Sequence, residues 1–443
     1  MRSLFSHLQL HTHTIKNPTW RAILLWLLPG FFLIIFFYQP LIAIFKLIFS
    51  PAFGFSWSDL NWNRVWQPLG FTFAQATLST LLTLIIGLPS AYLFSHFIFP
   101  GKKLLRLVTS LPFILPTVVA AAGFNALLGP RGWINLGLMG LFGLEEAPVQ
   151  FLNTFTAILI AHVFYNTAII IRIVGSAWAN QNNRLVQAAQ VLGAKPSQAF
   201  REITLPLLSP AILAASLLVF LFDFTSFGVV LMLGGPGFST LEVEIYTQAF
   251  HMLNLPLAGL LSLIQLTCTL TLTILYNRVS ETRSNPVMPQ AQKTILRKPK
   301  TLTHRLWIAA LVLMLLMLMT APLAALTIRS LVKLEPERGE RSTIQTGFTL
   351  QYYQELFINR RGSLFYVPPV EAVHNSLIYA GLTILISLTL GLLITYALKQ
   401  RAAINRWIDP LFMLPLGASA VTLGLGFIIV FNTPPWNSPD FPL

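Results

Sequence analysis

The chain has 443 residues, 55% of them hydrophobic and only 10% charged, with a mean hydropathy of +0.68. Soluble domains carry charge on about a quarter of their residues, so this composition excludes a soluble globular protein, a disordered chain and a collagen. The single cysteine, Cys268, excludes a disulfide framework and a thiolate metal site, and the net charge of +14 is weighed first as a membrane-topology signal, ahead of nucleic acid.

A bilayer core of roughly 30 Å takes about 20 apolar residues per helix. Runs of that length fall at about 22–48, 71–99, 107–128, 151–174, 208–232, 256–276, 306–331, 373–398 and 407–431. They are continuously apolar rather than alternating, which excludes a membrane β-barrel. Pro29, Gly30, Pro89 and Pro116 lie inside spans, where neighbouring helices can re-satisfy freed backbone groups. The expected fold class is an all-α integral membrane protein, a polytopic helical bundle of about nine transmembrane helices. Residues 1–16 lack a small-residue cleavage site, so the first run reads as a retained anchor helix.

With the N-terminus in the cytoplasm, the cytoplasmic segments hold 20 of the 29 basic residues, among them Lys102, Lys103, Arg106, Arg172, Arg184, Lys195 and Arg201. The same segments hold only Glu202, Glu281 and Asp409 of the 15 acidic residues. That asymmetry sets the orientation.

Residues 277–305 are basic, contain proline and lack apolar periodicity, and read as a cytoplasmic linker between two halves. The domain reading is a cytoplasmic tail at 1–21, a first transmembrane domain at 22–276 and, after the linker, a partial second one at 306–443 with an extracytoplasmic segment at 332–372. The halves look alike. "FILPTVVAAAGF" at 113–124 resembles "FMLPLGASAVTLGLGF" at 412–427, and the preceding spans share Gly87/Tyr92 and Gly391/Tyr396. Matching spans six crossings apart enter the membrane from the same side, so the repeat is parallel. The first half has six spans and the second has counterparts of only three.

The cytoplasmic stretch from Trp178 to Pro210 is the most informative. Asn182 or Asn183 can cap a short helix that contains Gln187, Ala188 and Ala189 and leads to Leu192, and Gly193 supplies the C′ position that ends it. Pro196 suits the first turn of a second helix, expected to run through Phe200 and Ile203 until Pro206 stops it. The alanines allow close approach by another protein, and Phe200, Ile203 and Leu205 offer an apolar surface. An ordinary loop between spans is the plain alternative.

The spacing Q-A-A-x-x-L-G-A-(x)5-F-x-x-I-x-L-P-(x)3-P resembles the "EAA" loop of binding-protein-dependent ABC importer permeases. In that family the loop forms coupling helices that dock on a cytoplasmic ATPase. The resemblance assigns that role to Gln187, Ala188, Ala189, Leu192, Gly193, Ala194, Phe200, Ile203, Leu205 and Pro206. Gln187 replaces the usual Glu, which keeps a hydrogen bond but removes an ion pair, and Lys195 stands where the family often has Ser or Thr. "GPRGWIN" (129–135), "AHVFYNTAIIIR" (161–172), "TSFGVVLMLGGPGFSTLEVEIY" (225–246) and "HNSL" (374–377) resemble the ferric iron and thiamine branch, whose permeases fuse two six-helix domains.

The resemblance implies a type I ABC importer permease fold with a partial second repeat, in the bacterial cytoplasmic (inner) membrane. It also implies a cytoplasmic ABC ATPase dimer and an extracytoplasmic solute-binding protein as partners, with membrane lipid around the spans and no nucleic acid. No cofactor and no enzymatic activity of the chain itself are expected. A second coupling loop would fall roughly 50 residues beyond Leu443 by the repeat offset. The chain is therefore expected to be a fragment, a truncated frame or a protein that needs a complementing permease half.

Asp223 lies inside the fifth span, where a carboxylate costs about 2.5–3.5 kcal/mol on insertion scales. It reads either as a group lining the translocation path, with Thr225 and Ser226, or as a hydrogen-bonding partner of a neighbouring helix. His162 and Asn166, with Tyr165, pose the same choice in the fourth span. "LGGPGFST" at 233–240 lacks the Lys and Ser/Thr of a phosphate loop and reads as an extracytoplasmic turn. His7, His11 and His13 read as a solvent-facing tail rather than a metal site.

An ion-gradient-driven secondary transporter is the alternative function, since internal repeats and an intramembrane carboxylate suit it too. The parallel repeat and the coupling-type loop favour the importer. No Ser/His, His/Glu or paired-carboxylate arrangement sits at catalytic spacing.

Overall fold

The computed structural model describes residues 19–48, 61–181, 183–281, 297–299, 301–333, 347–358, 366–399, 408, 411–412 and 414–432. In chain order the helices are α1 (Thr19–Leu33), α2 (Gln39–Ile48), α3 (Asn63–His96), α4 (Lys102–Val108), α5 (Thr117–Leu128), α6 (Trp133–Phe142), α7 (Phe155–Ala179), α8 (Asn183–Val191), α9 (Pro196–Ala199), α10 (Leu205–Phe224), α11 (Gly228–Leu233), α12 (Leu241–Tyr246), α13 (Leu255–Glu281), α14 (Leu302–Ser330), α15 (Gln351–Glu355), α16 (Pro369–Lys399) and α17 (Ala420–Phe431). Strands β1 (Val332–Lys333) and β2 (Gly347–Phe348) pair antiparallel. Helices dominate because a chain in hydrocarbon must satisfy its backbone polar groups within each segment.

Among the described residues, seven helices are long and apolar enough to cross a membrane: 24–48, α3, α7, 196–224, 255–279, α14 and α16. A π-turn at Ile34–Tyr38 joins α1 to α2, and another at Phe200–Thr204 joins α9 to α10. The expected span at 407–431 lies partly outside the described residues. Its described helix is the 12-residue α17.

Two expectations on proline are corrected. The stretch 107–128 is broken, and its flanking helices bend by 112°. Leu115 is extended (φ −74°, ψ 135°) because the ring of Pro116 disfavours the α region in the residue before it. Pro206, by contrast, does not stop its helix, which continues from Pro196 to Phe224. Pro206 sits in the first turn of α10, directly after the π-turn, where a missing N–H and an altered register cost little.

The local order of elements recurs. The 34-residue α3 leads to a 3-10 turn at Pro112–Ile114 and the 12-residue α5; the 31-residue α16 leads to a 3-10 turn at Leu414–Gly417 and the 12-residue α17.

The chain divides into two compact units. The larger, 44–360 with 417–425, is built on α3 packed along α7, with α10 against both and α13 against α10. Its α3 buries Thr72, Gln75, Ala76, Ser79, Thr83 and Gly87, a face of small and polar residues spaced three and four apart. In lipid, where burying apolar surface brings helices no advantage, such faces associate through close backbone approach and hydrogen bonds. Phe124, Ile158, Ala161, Phe164, Val230 and Met319 form the largest apolar cluster. In the smaller unit, α1 packs on α16, Trp26 meets Phe412 at 4.6 Å between ring centroids, and Tyr38 Oη donates to Leu411 O at 3.0 Å.

Candidate functional site

The loop after α7 folds as a helix, a glycine turn and a second helix. Asn183 opens α8, while Asn182 lies outside the described residues. At the other end, Gly193 N–H donates to Gln190 O (3.0 Å) and Ala194 N–H to Ala189 O (2.9 Å), with Gly193 at φ +95°. These two bonds are a Schellman closure, which satisfies carbonyls the helix end would otherwise leave free. Lys195 is extended and Pro196 begins the next helix. Beneath the loop, Gln181 Nε2 donates to Thr204 O at 3.2 Å in a buried position, and the Trp178 and Phe200 rings lie 6.2 Å apart.

This fixed corner leaves apolar groups in the open. Val191 is 87% exposed and Leu192 88%, and Phe200 and Leu205 are also exposed. Gln187, Ala188, Gly193 and Pro206 are exposed, while Ala189, Ala194 and Ile203 are half-buried. Covering one such large apolar side chain is worth about 1.5–3 kcal/mol. Val191 is absent from the sequence-derived set, although its place beside Leu192, one turn after Ala188, could have marked it.

The helix leaving this corner carries it to the second group of predicted residues. At the end of α10, Asp223 is fully buried; Asn166 Nδ2 of α7 donates to its Oδ1 at 2.6 Å, and Gln75 Nε2 of α3 donates to its backbone O at 2.6 Å. His162 Nδ1 lies 3.5 Å from the same Oδ1 and 3.0 Å from Ser79 Oγ, while its Nε2 lies 2.8 Å from Ser226 Oγ. With the proton on Nδ1, the ring donates towards Ser79 and Asp223, and Ser226 donates to Nε2; the other tautomer reverses both senses. Asp223 Oδ2 has no hydrogen-bond partner among the described residues. Thr225 stands apart from the network and donates to Leu221 O at 3.0 Å. Asp223, Asn166, His162 and Ser226 are thus brought together, with Gln75 and Ser79 as members the sequence reading missed.

A second buried carboxylate was also missed. Glu242, in α12, accepts from Gln265 Nε2 (3.0 Å) and Ser419 Oγ (2.8 Å). Burial pushes its carboxyl up to about 8, against the lowering effect of those two hydrogen bonds. The glycine-rich stretch 233–240 forms the turn between α11 and α12, held by Asn153 N–H on Leu233 O at 2.9 Å. His7, His11 and His13 lie outside the described residues.

Residues 83–284, from the middle of α3 past the end of α13, match the family described as binding-protein-dependent transport system inner membrane component. The matched stretch contains the whole helix–glycine–helix corner and all of the buried network except Gln75 and Ser79.

The chain is 30% identical over 316 residues to the thiamine transport system permease protein ThiP of Salmonella typhimurium (strain LT2), a match covering 70% of this chain and 58% of that protein. It is 29% identical over 259 residues to PhnU of Salmonella paratyphi A, a candidate 2-aminoethylphosphonate transport system permease protein, across 57% of this chain and 90% of that one. A crystal structure of a bacterial ABC transporter that imports the acidic polysaccharide alginate superposes with a TM-score of 0.49 and 18% identity, over 60% of this chain and 96% of that chain. The chain spans under two thirds of the length of the thiamine relative.

Proposed function

We propose that the chain is the membrane permease subunit of an ATP-binding-cassette importer, and that the 183–206 corner is where its ATPase docks. The observation that carries this reading is the pair Val191 and Leu192, almost fully exposed at the end of a helix closed by Gly193. Apolar side chains held open on a rigid corner suit a protein partner better than water. The match of residues 83–284 to binding-protein-dependent permeases supports the same conclusion.

The mechanism follows from helix continuity. A single helix runs from Pro196, at the corner, to Phe224, beside Asp223. A push on Phe200, Ile203 or Leu205 therefore travels along one rigid element to the hydrogen bonds that join α10 to α3 and α7. In this reading ATP binding moves the docked corner, the helix shifts the network, and the solute path opens to the other side. Such a shift requires the partners to favour one conformation over the other, since equal affinity for both moves nothing.

The chain carries a first transmembrane half at 22–276 and a second from 306, and Asp223, Asn166, His162, Ser226 and Thr225 lie near the solute path in this reading. An extracytoplasmic binding protein delivers the solute. Thiamine or ferric iron is the proposed solute, the former supported by the relationship to ThiP.

Orientation is tested by single cysteines at Ser284 and Ser342, both outside the described residues, in a Cys268→Ser background. An impermeant thiol reagent should label position 342 in intact cells and position 284 only after permeabilisation; the reverse pattern would place the corner on the wrong side for an ATPase. Uptake of labelled thiamine or ferric iron into vesicles holding the permease, its ATPase and its binding protein tests the solute.

A further inference from the structure

We propose that the cavity between α3, α4 and α7 binds a phosphate-bearing anion, held by Lys102, Arg106 and Arg172. The cavity measures about 250 Å³. Its wall brings those three cations from two helices together with the hydroxyls of Ser95, Thr109, Ser110 and Ser176. No Asp or Glu lines it, and among the described residues no carboxylate lies within salt-bridge distance of the three cations.

Basic residues that serve only to retain a loop on one side of the membrane extend their heads into water. Lys103 does so, exposed on α4 and outside the cavity wall. Arg106 and Arg172 are exposed as well, but the three lining cations also make contacts within the fold. Lys102 is half-buried and donates from Nζ to Phe97 O at 2.7 Å, Arg172 Nη2 donates to Ser110 Oγ at 3.0 Å, and the Arg106 guanidinium lies 5.8 Å from the centre of the Phe94 ring. Converging like charges are unfavourable unless an anion lies between them.

Two guanidinium groups with hydroxyl donors suit the several oxygens of a phosphate, and the space admits one with accompanying water. A basic pocket between helices near a membrane surface is also suited to an anionic lipid headgroup. The shared chemistry is a phosphate oxyanion, supplied either by a phospholipid or by dissolved phosphate. The site does not involve the docking corner, and its occupancy can be read without ATPase or transport.

The test uses the purified full chain in nanodiscs of phosphatidylcholine with or without phosphatidylglycerol, and separately with inorganic phosphate. Retained lipid is counted by native mass spectrometry, and phosphate binding is read as a rise in Tm. Arg106→Gln/Arg172→Gln removes two cations; Ser176→Glu places a carboxylate at an exposed part of the wall and decides the matter should the double variant fold poorly. Lys103→Gln, which lowers the net charge by one as Ser176→Glu does, is the control.

Retention of phosphatidylglycerol at least about tenfold weaker in both variants, with the control unchanged, identifies a lipid headgroup as the anion. A Tm rise with inorganic phosphate in wild type and control only identifies dissolved phosphate. Equal lipid retention and equal phosphate response in all four proteins would overturn the proposal.

Discussion

Ile170 of α7 rides on the Cα of Gly87 in α3: a Cβ at Gly87 would stand 2.7 Å from both Cβ and Cγ2 of Ile170. The contact lies along the α3–α7 seam that also carries Asn166 and Ser79, so the close approach of these two helices sets the spacing of the buried network. Gly87→Ala should force the helices apart and lower stability by about 1–3 kcal/mol. Adding Ile170→Ala should recover much of the loss. Thermal unfolding in detergent checks both, and a single Ala variant as stable as wild type would show that the seam yields without cost.

Asp223 depends on Asn166 for the hydrogen bond to its Oδ1. Removing that donor with Asn166→Ala leaves a buried carboxylate short of a partner, at a cost of about 3 kcal/mol. Asp223→Asn keeps the shape and loses less. If the order of the two Tm values were reversed, the network would be held chiefly by something other than this bond.

Glu242 should make stability fall as pH rises. Its carboxyl is raised from the ordinary 4.5 to about 8, so between those values the folded chain holds a proton that the unfolded chain has released. The unfolded state binds fewer protons there, and stability decreases with pH across that window before levelling off above it. Glu242→Gln should flatten the slope. Tm measured from pH 5 to pH 9 gives the comparison, and an unchanged slope in the variant would assign the pH dependence to other groups.

Gly193 occupies φ +95° with nothing within 4 Å of a Cβ. Substitution is therefore resisted by backbone conformation, at about 1 kcal/mol or more, rather than by crowding. Gly193→Val should insert and fold but displace Val191 and Leu192, and binding-protein-stimulated ATP hydrolysis should fall sharply in the reconstituted importer. Gly193→Asn, which tolerates the left-handed region, should keep most of it. Full stimulation with Val would make the corner a mere connection.

The spans and the corner were legible because their signals are local: long apolar runs for the first, and glycine and prolines at fixed spacing for the second. Gly193 was identifiable in advance because a helix ending in L-G-A has few other ways to satisfy its last carbonyls. Proline effects were less legible. In sequence Pro116 reads as tolerated within a span and Pro206 as a helix stop, yet the first breaks its helix and the second, in the first turn after the π-turn at Phe200–Thr204, does not. The buried network was half visible. Asp223 and His162 stand out in apolar runs, whereas Gln75 and Ser79 look like many polar residues of α3 until α7 and α10 pack on that face. Glu242 could not be told from Glu244, because only the fold places Gln265 and Ser419 against the first of them.

Docking at the corner is tested most directly by a cysteine at Leu192 in a Cys268→Ser background, with the partner ATPase present and a short reagent that joins a thiol to a lysine amine added. Leu192→Cys should cross-link to the ATPase, and bound ATPase should shield it from a small soluble thiol reagent that labels it readily when the ATPase is stripped away. A residue equally labelled with and without the ATPase, and never cross-linked to it, would contradict the assignment of this loop as the site where ATP hydrolysis is coupled to transport.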